Sequence, residues 1–358
     1  MINVLVVDDS VLIRHALARI IDAQPDMRVI ADAADGISAQ QMIRLHTPDV
    51  ITLDIQMPNM DGLQFLEKLM QDKPLPVIMV SSLTEKGASI TLRALEMGAI
   101  DFVHKPKLAL RHGLLNDSQD IIEKIRMAYA ARHRVRRHNG LTNALFRQVL
   151  PNVTRTGVLS PTDRLIMIGS STGGTEALRI VLQQMPLDCP AVLITQHMPA
   201  GFTKSFAKRL DQLCAIAVKE AAHGDAVLPG HAYIAPGDRH LKLGRGPNGL
   251  VCLMQDGPPV NRHKPSVEVL FDSGAALAGR QITGVMLTGM GKDGAQAMLR
   301  LREAGAYNIC QDEASCVVFG MPREAIALGA AHEVVSLEQI PKQILAHLMQ
   351  RLRRPAVV

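Results

Sequence analysis

Residues 2–10 read INVLVVDDS. A short apolar run rich in Val and Ile stops at two acids, and the next stretch, VLIRHALARIID, spaces its apolar residues at helical intervals. Outward from there the alternation repeats. MRVIADA, DVITLD, LPVIMVSS and AIDFV are further short Val- and Ile-rich runs, and helix-like segments begin near Ser10, Gly36, Gly62 and Lys86. Strands alternating with helices over residues 2–106 imply an α/β fold, a doubly wound (βα)5 unit whose parallel sheet is covered on both faces. Residues 117 to about 137 suit its fifth helix. The stretch HNGLTNALFRQVLPNVTRTGVLSPTD then loses clear periodicity and reads as a connector at about 138–162.

At 358 residues the chain is too long for one typical domain and suits two. We place a first domain at 1–125, a linking region at 126–162 and a second domain at 163–350. Hydrophobic residues make up 47% and charged residues 20%, enough to bury real cores, which excludes a mostly disordered protein. No apolar run reaches the roughly 18 residues of a membrane span. The start, MINVLVVDDS, is unlike a secretory signal. Cys189, Cys214, Cys252, Cys310 and Cys316 form no C-x-x-C pair, so a reduced cytoplasm is expected, with neither a disulfide frame nor a zinc site. The net charge of +5 is unevenly spread: residues 124–162 hold eight Lys or Arg and no acid, which leaves −3 for the rest. A folded nucleic-acid binder carries its basic charge on the domain and uses aromatic platforms, whereas aromatics here are 3% with no Trp. The basic stretch reads as a solvated connector.

The second domain opens at Arg164. LIMIG is a strand, STGGTEALRIVLQQM a helix, AVLITQ a strand and GFTKSFAKRLDQL an amphipathic helix. Residues 216–262 break the rhythm with recurrent Gly and Pro, and HAYIAP, HLKL and LVCLM read as antiparallel strands inserted into a parallel-sheet α/β domain. The alternation resumes with PSVEVLFDSGAALAG, ITGVMLTG and DGAQAMLRLREAG. It ends in a helix at about 337–353.

Two groups of residues carry chemistry. Asp8 and Asp9 end the first strand, and Asp54 ends the third. In a doubly wound sheet of order 2-1-3-4-5 those strands are neighbours, and the loops at their carboxyl ends share one crevice. Three acids converging there repel one another unless a hard cation intervenes. Mg²⁺ suits them, because it takes a few carboxylates and keeps several waters. Ser81 and Lys105 follow strands four and five and reach the same edge, where a hydroxyl and an ammonium suit phosphoryl transfer onto a carboxylate. The set DD…LD-x-x-MP-x-MDG…S…KP resembles the receiver domain of bacterial two-component response regulators over about residues 2–125. The resemblance implies Asp54 as phospho-acceptor and Asp8, Asp9, Asp54 and the backbone carbonyl of Gln56 as Mg²⁺ ligands. It further implies Ser81 and Lys105 as phosphoryl contacts and Phe102 as the aromatic switch position. Lys105–Pro106 is a candidate cis peptide.

In the second group, Gly169-Ser170-Ser171-Thr172-Gly173 matches G-x-S-x-G, a tight strand-to-helix turn that exposes the serine at x+1 and aims backbone N–H groups at a developing oxyanion. Glycine-rich turns of this kind also bind phosphates. His197 ends the next strand in LITQHMP, and Asp293 follows ITGVMLTG in GMGKDG, so all three lie on one sheet edge. The chain order Ser…His…Asp argues against an α/β-hydrolase. GSSTGG, ITQHMP, AYIAPGDRH, PPVNRHKPSV, LTGMGKDG and SCVVFGMPREA together resemble the chemotaxis protein-glutamate methylesterases over about residues 163–350. The resemblance implies Ser171 as nucleophile, His197 as general base, Asp293 as its orienting acid and the Met290 N–H as an oxyanion donor. Ser170 should face away from the cleft. Thr172, Arg239 and Arg262 are candidates for lining it. His231, His240 and His263 match no metal-ligand spacing and read as structural or surface residues.

The expectation is a cytoplasmic two-domain regulator and enzyme. The resemblance implies phosphorylation of Asp54 by the chemotaxis histidine kinase. It also implies hydrolysis of glutamate methyl esters, and deamidation of specific glutamines, on methyl-accepting chemoreceptors. Mg²⁺ would serve the receiver and no cofactor the esterase. No nucleic acid and no membrane insertion are expected. A receiver joined to an esterase suggests that the unphosphorylated receiver obstructs Ser171. Two other readings compete. A DNA-binding output requires a recognition helix with clustered basic residues, and a regulator acting only through protein contacts predicts no reactive serine.

Overall fold

Five strands, β1 (Ile2–Val7), β2 (Met27–Ala33), β3 (Val50–Asp54), β4 (Val77–Ser81) and β5 (Asp101–His104), form the first sheet of the computed structural model. The structure describes residues 1–81, 85–105, 113–132 and 164–352. The chain divides into two units, Met1–Gln148 and Val149–Val358. In the first unit the strand order is β2-β1-β3-β4-β5, with every neighbouring pair parallel. The connecting helices are α1 (Val11–Asp22), α2 (Gly36–His46), α3 (Gly62–Asp72), α4 (Glu85–Glu96) and α5 (Gly113–Ala130). The sequence sets their starts locally: Asp35 with Ser38 and Asp61 with Gln64 close reciprocal capping boxes on α2 and α3. VITLD of β3 is buried at every residue, as a central parallel strand covered on both faces must be. Residues 126–130, expected in the linking region, belong to α5. The candidate cis bond, which involves Pro106, and the connector at 138–162 both lie outside the described residues.

The second unit runs β6 (Leu165–Ser170), α6 (Gly174–Leu182), β7 (Ala191–Gln196), α7 (Phe202–Leu213), β8 (Ala217–Glu220), β9 (His231–Ile234), β10 (His240–Gly246) and β11 (Gly249–Gln255). It continues with α8 (Val267–Ala278), β12 (Ile282–Met286), α9 (Ala295–Glu303), β13 (Tyr307–Gln311), α10 (Met321–Ala327), β14 (Glu333–Val335) and α11 (Ile340–Leu352). Its sheet has the order β14-β13-β12-β6-β7-β9-β8, with all neighbouring pairs parallel. Only β10 and β11 form the expected antiparallel insertion, and their Leu241, Leu243 and Cys252 join the core around Phe271 and Leu270 of α8. HAYIAP corrects the sequence expectation. It supplies β9, which pairs in parallel with β7 on one side and β8 on the other. Ala232, Tyr233 and Ile234 are buried, so both faces of this strand are covered, as a parallel sheet interior requires and an outlying hairpin does not.

The strand order also fixes where a site can form. From β6 the chain proceeds to β7 on one side, while β12, far later in sequence, flanks it on the other. The order therefore reverses at β6, and the crevice lies outside the carboxyl ends of β12, β6 and β7. In the first unit the corresponding switch lies between β1 and β3.

Candidate functional sites

At the β1/β3 switch, Asp8, Asp9 and Asp54 bring carboxylate oxygens within 4.8 Å of one another, with Asp8 and Asp54 buried and Asp9 exposed. Lys105 Nζ lies 3.0 Å from Asp8 Oδ2 and 2.8 Å from Asp54 Oδ2. Burial, reinforced by the charge of Asp8, raises the Asp54 carboxyl above its ordinary value against the pull of Lys105. Burial would lower the Lys105 ammonium, but its bonds to Asp54 and Asp8 outweigh that and raise it. One ammonium against three carboxylates leaves a net deficit of two positive charges. Hard oxygen donors with that deficit fit a divalent cation such as Mg²⁺. Gln56 lies two residues beyond Asp54 on the loop to α3. Ser81 is buried at the end of β4, where its hydroxyl is hydrogen-bonded to that of Thr91 at 2.8 Å. Phe102 is buried, edge-on to His104 at 6.2 Å, with Lys124 Nζ 5.2 Å from its ring centre.

In the second unit the register brings Ser171 and His197 side by side: Ser170 pairs with Gln196 at the end of β6 and β7, and the His197 N–H donates to Ser170 O at 3.0 Å. On the other flank Met286 pairs with Gly169, and the Ser171 N–H donates to Thr288 O at 3.0 Å. The two adjacent serines are thereby sorted. Ser170 is fully buried and donates to Gln196 Oε1 at 2.7 Å, facing away from the cleft as expected. Gln196 Nε2 in turn donates to Ser171 O at 2.8 Å, which fixes the turn from inside. Gly173 takes φ +76° beneath Val317, a conformation and a space that no other side chain fits.

His197 Nε2 is 2.8 Å from Asp293 Oδ2. Asp293 is buried and collects further donors: Asn261 Nδ2 at 2.9 Å, Ser266 Oγ at 2.8 Å and the Val267 N–H at 2.7 Å. Ser266 and Val267 begin α8, so the carboxylate sits at a helix N-terminus. Burial disfavours its charge, but the bonds from His197, Asn261 and Ser266 prevail and hold its pKa down to about 2. An ionised Asp293 accepts a hydrogen bond from Nε2–H, which leaves the Nδ1 lone pair as the basic site of His197. Nδ1 is buried and has no hydrogen-bond partner among the described residues. No hydrogen bond joins Ser171 Oγ to the ring among the described residues. Bonds of this kind commonly tighten only when substrate arrives. The GMG loop approaches Ser171 closely: a Cβ on Gly289 would lie 2.7 Å from Ser171 Cβ. Met290, next along, has no hydrogen-bond partner for its N–H among the described residues, whereas the Ser171 N–H is already committed to Thr288.

Of the other candidates, Thr172 is buried and its carbonyl accepts from Thr288 Oγ1 at 3.0 Å. Arg239 pairs with Asp256 at 3.3 Å, and Arg262 is exposed with φ +70°. His231 and His240 bond the carbonyls of Pro229 and Pro258, as structural histidines do. His263 departs from that expectation. Its ring stacks on His197 with centroids 3.7 Å apart and planes 7° from parallel. Asn261 and Ser266, the second and third anchors of Asp293, and Gln196 had no assigned role either. The one signal for them is position, since they lie within the motifs PPVNRHKPSV and ITQHMP.

The chain matches the CheB methylesterase family over residues 166–344 and the response regulator receiver domain over 4–112. It is 58% identical to a protein-glutamate methylesterase/protein-glutamine glutaminase of Cupriavidus metallidurans, across 97% of this chain and 96% of that one. It is 56% identical to the like-named protein of Paraburkholderia xenovorans over the same shares. The solved catalytic domain of Thermotoga maritima CheB methylesterase is 37% identical, with a TM-score of 0.51, and the match covers 52% of this chain and 99% of that domain. No helix among the described residues is long and apolar enough to cross a membrane. With a receiver domain at its N-terminal end followed in sequence by the methylesterase domain, this chain belongs to the CheB methylesterase family of chemotaxis response regulators.

Proposed function

We propose that the second unit hydrolyses glutamate methyl esters on chemoreceptors, and deamidates specific glutamines there, through Ser171, His197 and Asp293. The observation that carries this reading is the polarity of the His197 ring: Nε2 is tied to an ionised Asp293, which leaves Nδ1 basic, on a residue whose backbone N–H bonds to Ser170 O next to Ser171. His197 Nδ1 takes the proton as Ser171 Oγ bonds to the ester carbonyl carbon. The tetrahedral oxyanion forms where the Met290 N–H can donate to it. When the C–O bond to methoxide breaks, His197 returns the proton and methanol leaves, or ammonia from a glutamine. Water then attacks the acyl-serine, giving its proton to Nδ1, and collapse restores the Ser171 hydroxyl and releases a glutamate carboxylate. Asp293 stabilises the imidazolium at both stages. No cofactor enters these steps.

Receiver domains are phosphorylated, typically with Mg²⁺. In the first unit we assign Asp54 as the acceptor of a phosphoryl group from a chemotaxis histidine kinase. Asp8, Asp9, Asp54 and the Gln56 carbonyl would hold Mg²⁺, which when bound offsets negative charge on the transferring phosphoryl group. Lys105 already pairs with Asp8 and Asp54 and neutralises part of the same charge. The place of action is the cytoplasm. The test is methanol release from methylated receptor membranes, with and without a phosphodonor, by the full chain. Release that rises with the donor supports the reading, and absence of release under either condition would refute it.

A further inference from the structure

We propose that His263 is a positioning residue for the esterase reaction, its imidazole serving as a wall that sets the plane of the His197 ring. The inference rests on the reading of His197 as the general base. Two observations carry it. The rings are stacked 3.7 Å apart and 7° from parallel, which is full face contact rather than incidental proximity. And the bond that holds His197 from the other end leaves one motion open. The Cβ–Cγ axis passes between Nε2 and Cε1, so rotation about it displaces Nε2 less than Nδ1, and the 2.8 Å bond to Asp293 restrains that rotation only in part. The same rotation swings Nδ1, further off the axis, out of line with the serine. A flat ring packed against the imidazole face blocks that swing. It also presents π density to the positive charge that His197 acquires in turnover.

The backbone shows how the wall is built. The Val260 N–H donates to His263 O at 3.0 Å and the His263 N–H returns to Val260 O at 2.9 Å, closing a two-residue turn. Its central residues, Asn261 and Arg262, have φ of +51° and +70°, as a type I′ turn requires. Asn tolerates that region but Arg does not, at a cost of order 1–2 kcal/mol, so the surroundings must enforce it. The bond from Asn261 Nδ2 to Asp293 Oδ1 does so. One turn thus holds the acid and, two residues on, the ring that steadies the base.

The test compares His263→Phe, which keeps a flat ring, with His263→Leu, which keeps bulk without one, in the full-length phosphorylated chain. We expect His263→Leu to lower kcat for methanol release about 10- to 100-fold with KM within about twofold, the scale of a misplaced catalytic group. His263→Phe should restore kcat to within about threefold of the parent. The rate of Ser171 labelling by an organophosphorus probe should follow the same order, which removes receptor docking from the comparison. Equal kcat in the Phe and Leu variants overturns the proposal, and so does a raised KM at unchanged kcat, which would make His263 a substrate contact. His197→Ala is the companion control. If it retains turnover, the base assignment itself fails; if it is inactive while Phe and Leu behave alike, only the role of His263 fails.

Discussion

Ser170 and Ser171 carry the same hydroxyl one residue apart, and only their bonding separates them. Ser171→Ala should abolish methyl-ester hydrolysis and leave phosphoryl uptake on Asp54 unchanged, since the two groups belong to separate sheets. Ser170→Ala leaves Gln196 Oε1 without its donor. It should lower stability by about 1 kcal/mol, read from the denaturation midpoint, while turnover stays within about threefold. Loss of activity in Ser170→Ala with retention in Ser171→Ala would reverse the assignment. Asp293→Asn should reduce kcat by about 10²–10⁴-fold with little change in KM, because an amide cannot stabilise the imidazolium or fix its tautomer. The same carboxylate makes a pH-dependent contribution to folding. Its pKa is about 2 in the fold against an ordinary 3.8. The stabilisation, roughly 2 kcal/mol, is complete above about pH 4 and disappears as pH falls towards 2. A plot of unfolding free energy against pH should therefore be flatter over that interval for Asp293→Asn. These three residues were legible because each closes a strand or follows one within a recognisable motif. His263, Asn261 and Ser266 were not, since no spacing encodes which side chain will reach a carboxylate or a ring on another loop.

Among the elements, the turn at 260–263 has the most to lose from a single substitution. Asn261 serves it twice, by accepting a positive φ and by donating to Asp293. Asn261→Gly keeps the backbone freedom and removes the bond, whereas Asn261→Ala removes both. Glycine should lower kcat by about tenfold or less, since Ser266 and Val267 still anchor the acid. Alanine should lower it further and cost about 1 kcal/mol more in stability. Equal values of kcat and midpoint for the two would remove the turn from the account. Elsewhere, periodicity served best where strands alternate with long helices: the first sheet's β1 to β5 all lie within runs readable as apolar segments. It failed at β9. HAYIAP is short and bounded by Gly and Pro, which is how a meander strand also looks, and its parallel pairing depends on β8, another short strand that no local pattern announces.

At the scale of the whole molecule, the expectation that the unphosphorylated receiver obstructs Ser171 is directly measurable. Asp54→Asn should hold the full chain at its basal rate of methanol release with or without a phosphodonor. Removal of residues 1–150 should raise that basal rate. An isolated second unit slower than the unphosphorylated whole would exclude obstruction and assign the receiver a positive role. Domain order and fold class were legible from the alternation of runs. The sheet of the second unit has one more implication. The candidate catalytic residues follow β12, β6 and β7, three contiguous strands well inside a seven-stranded order whose ends are the four-residue β8 and the three-residue β14. Fraying begins at such ends, and amide exchange there should be fast while the middle strands exchange only with global opening. The catalytic geometry is then kept whole until the sheet itself gives way. Warming should yield a mixture of fully competent and fully dead molecules, with the surviving fraction turning over at its original kcat.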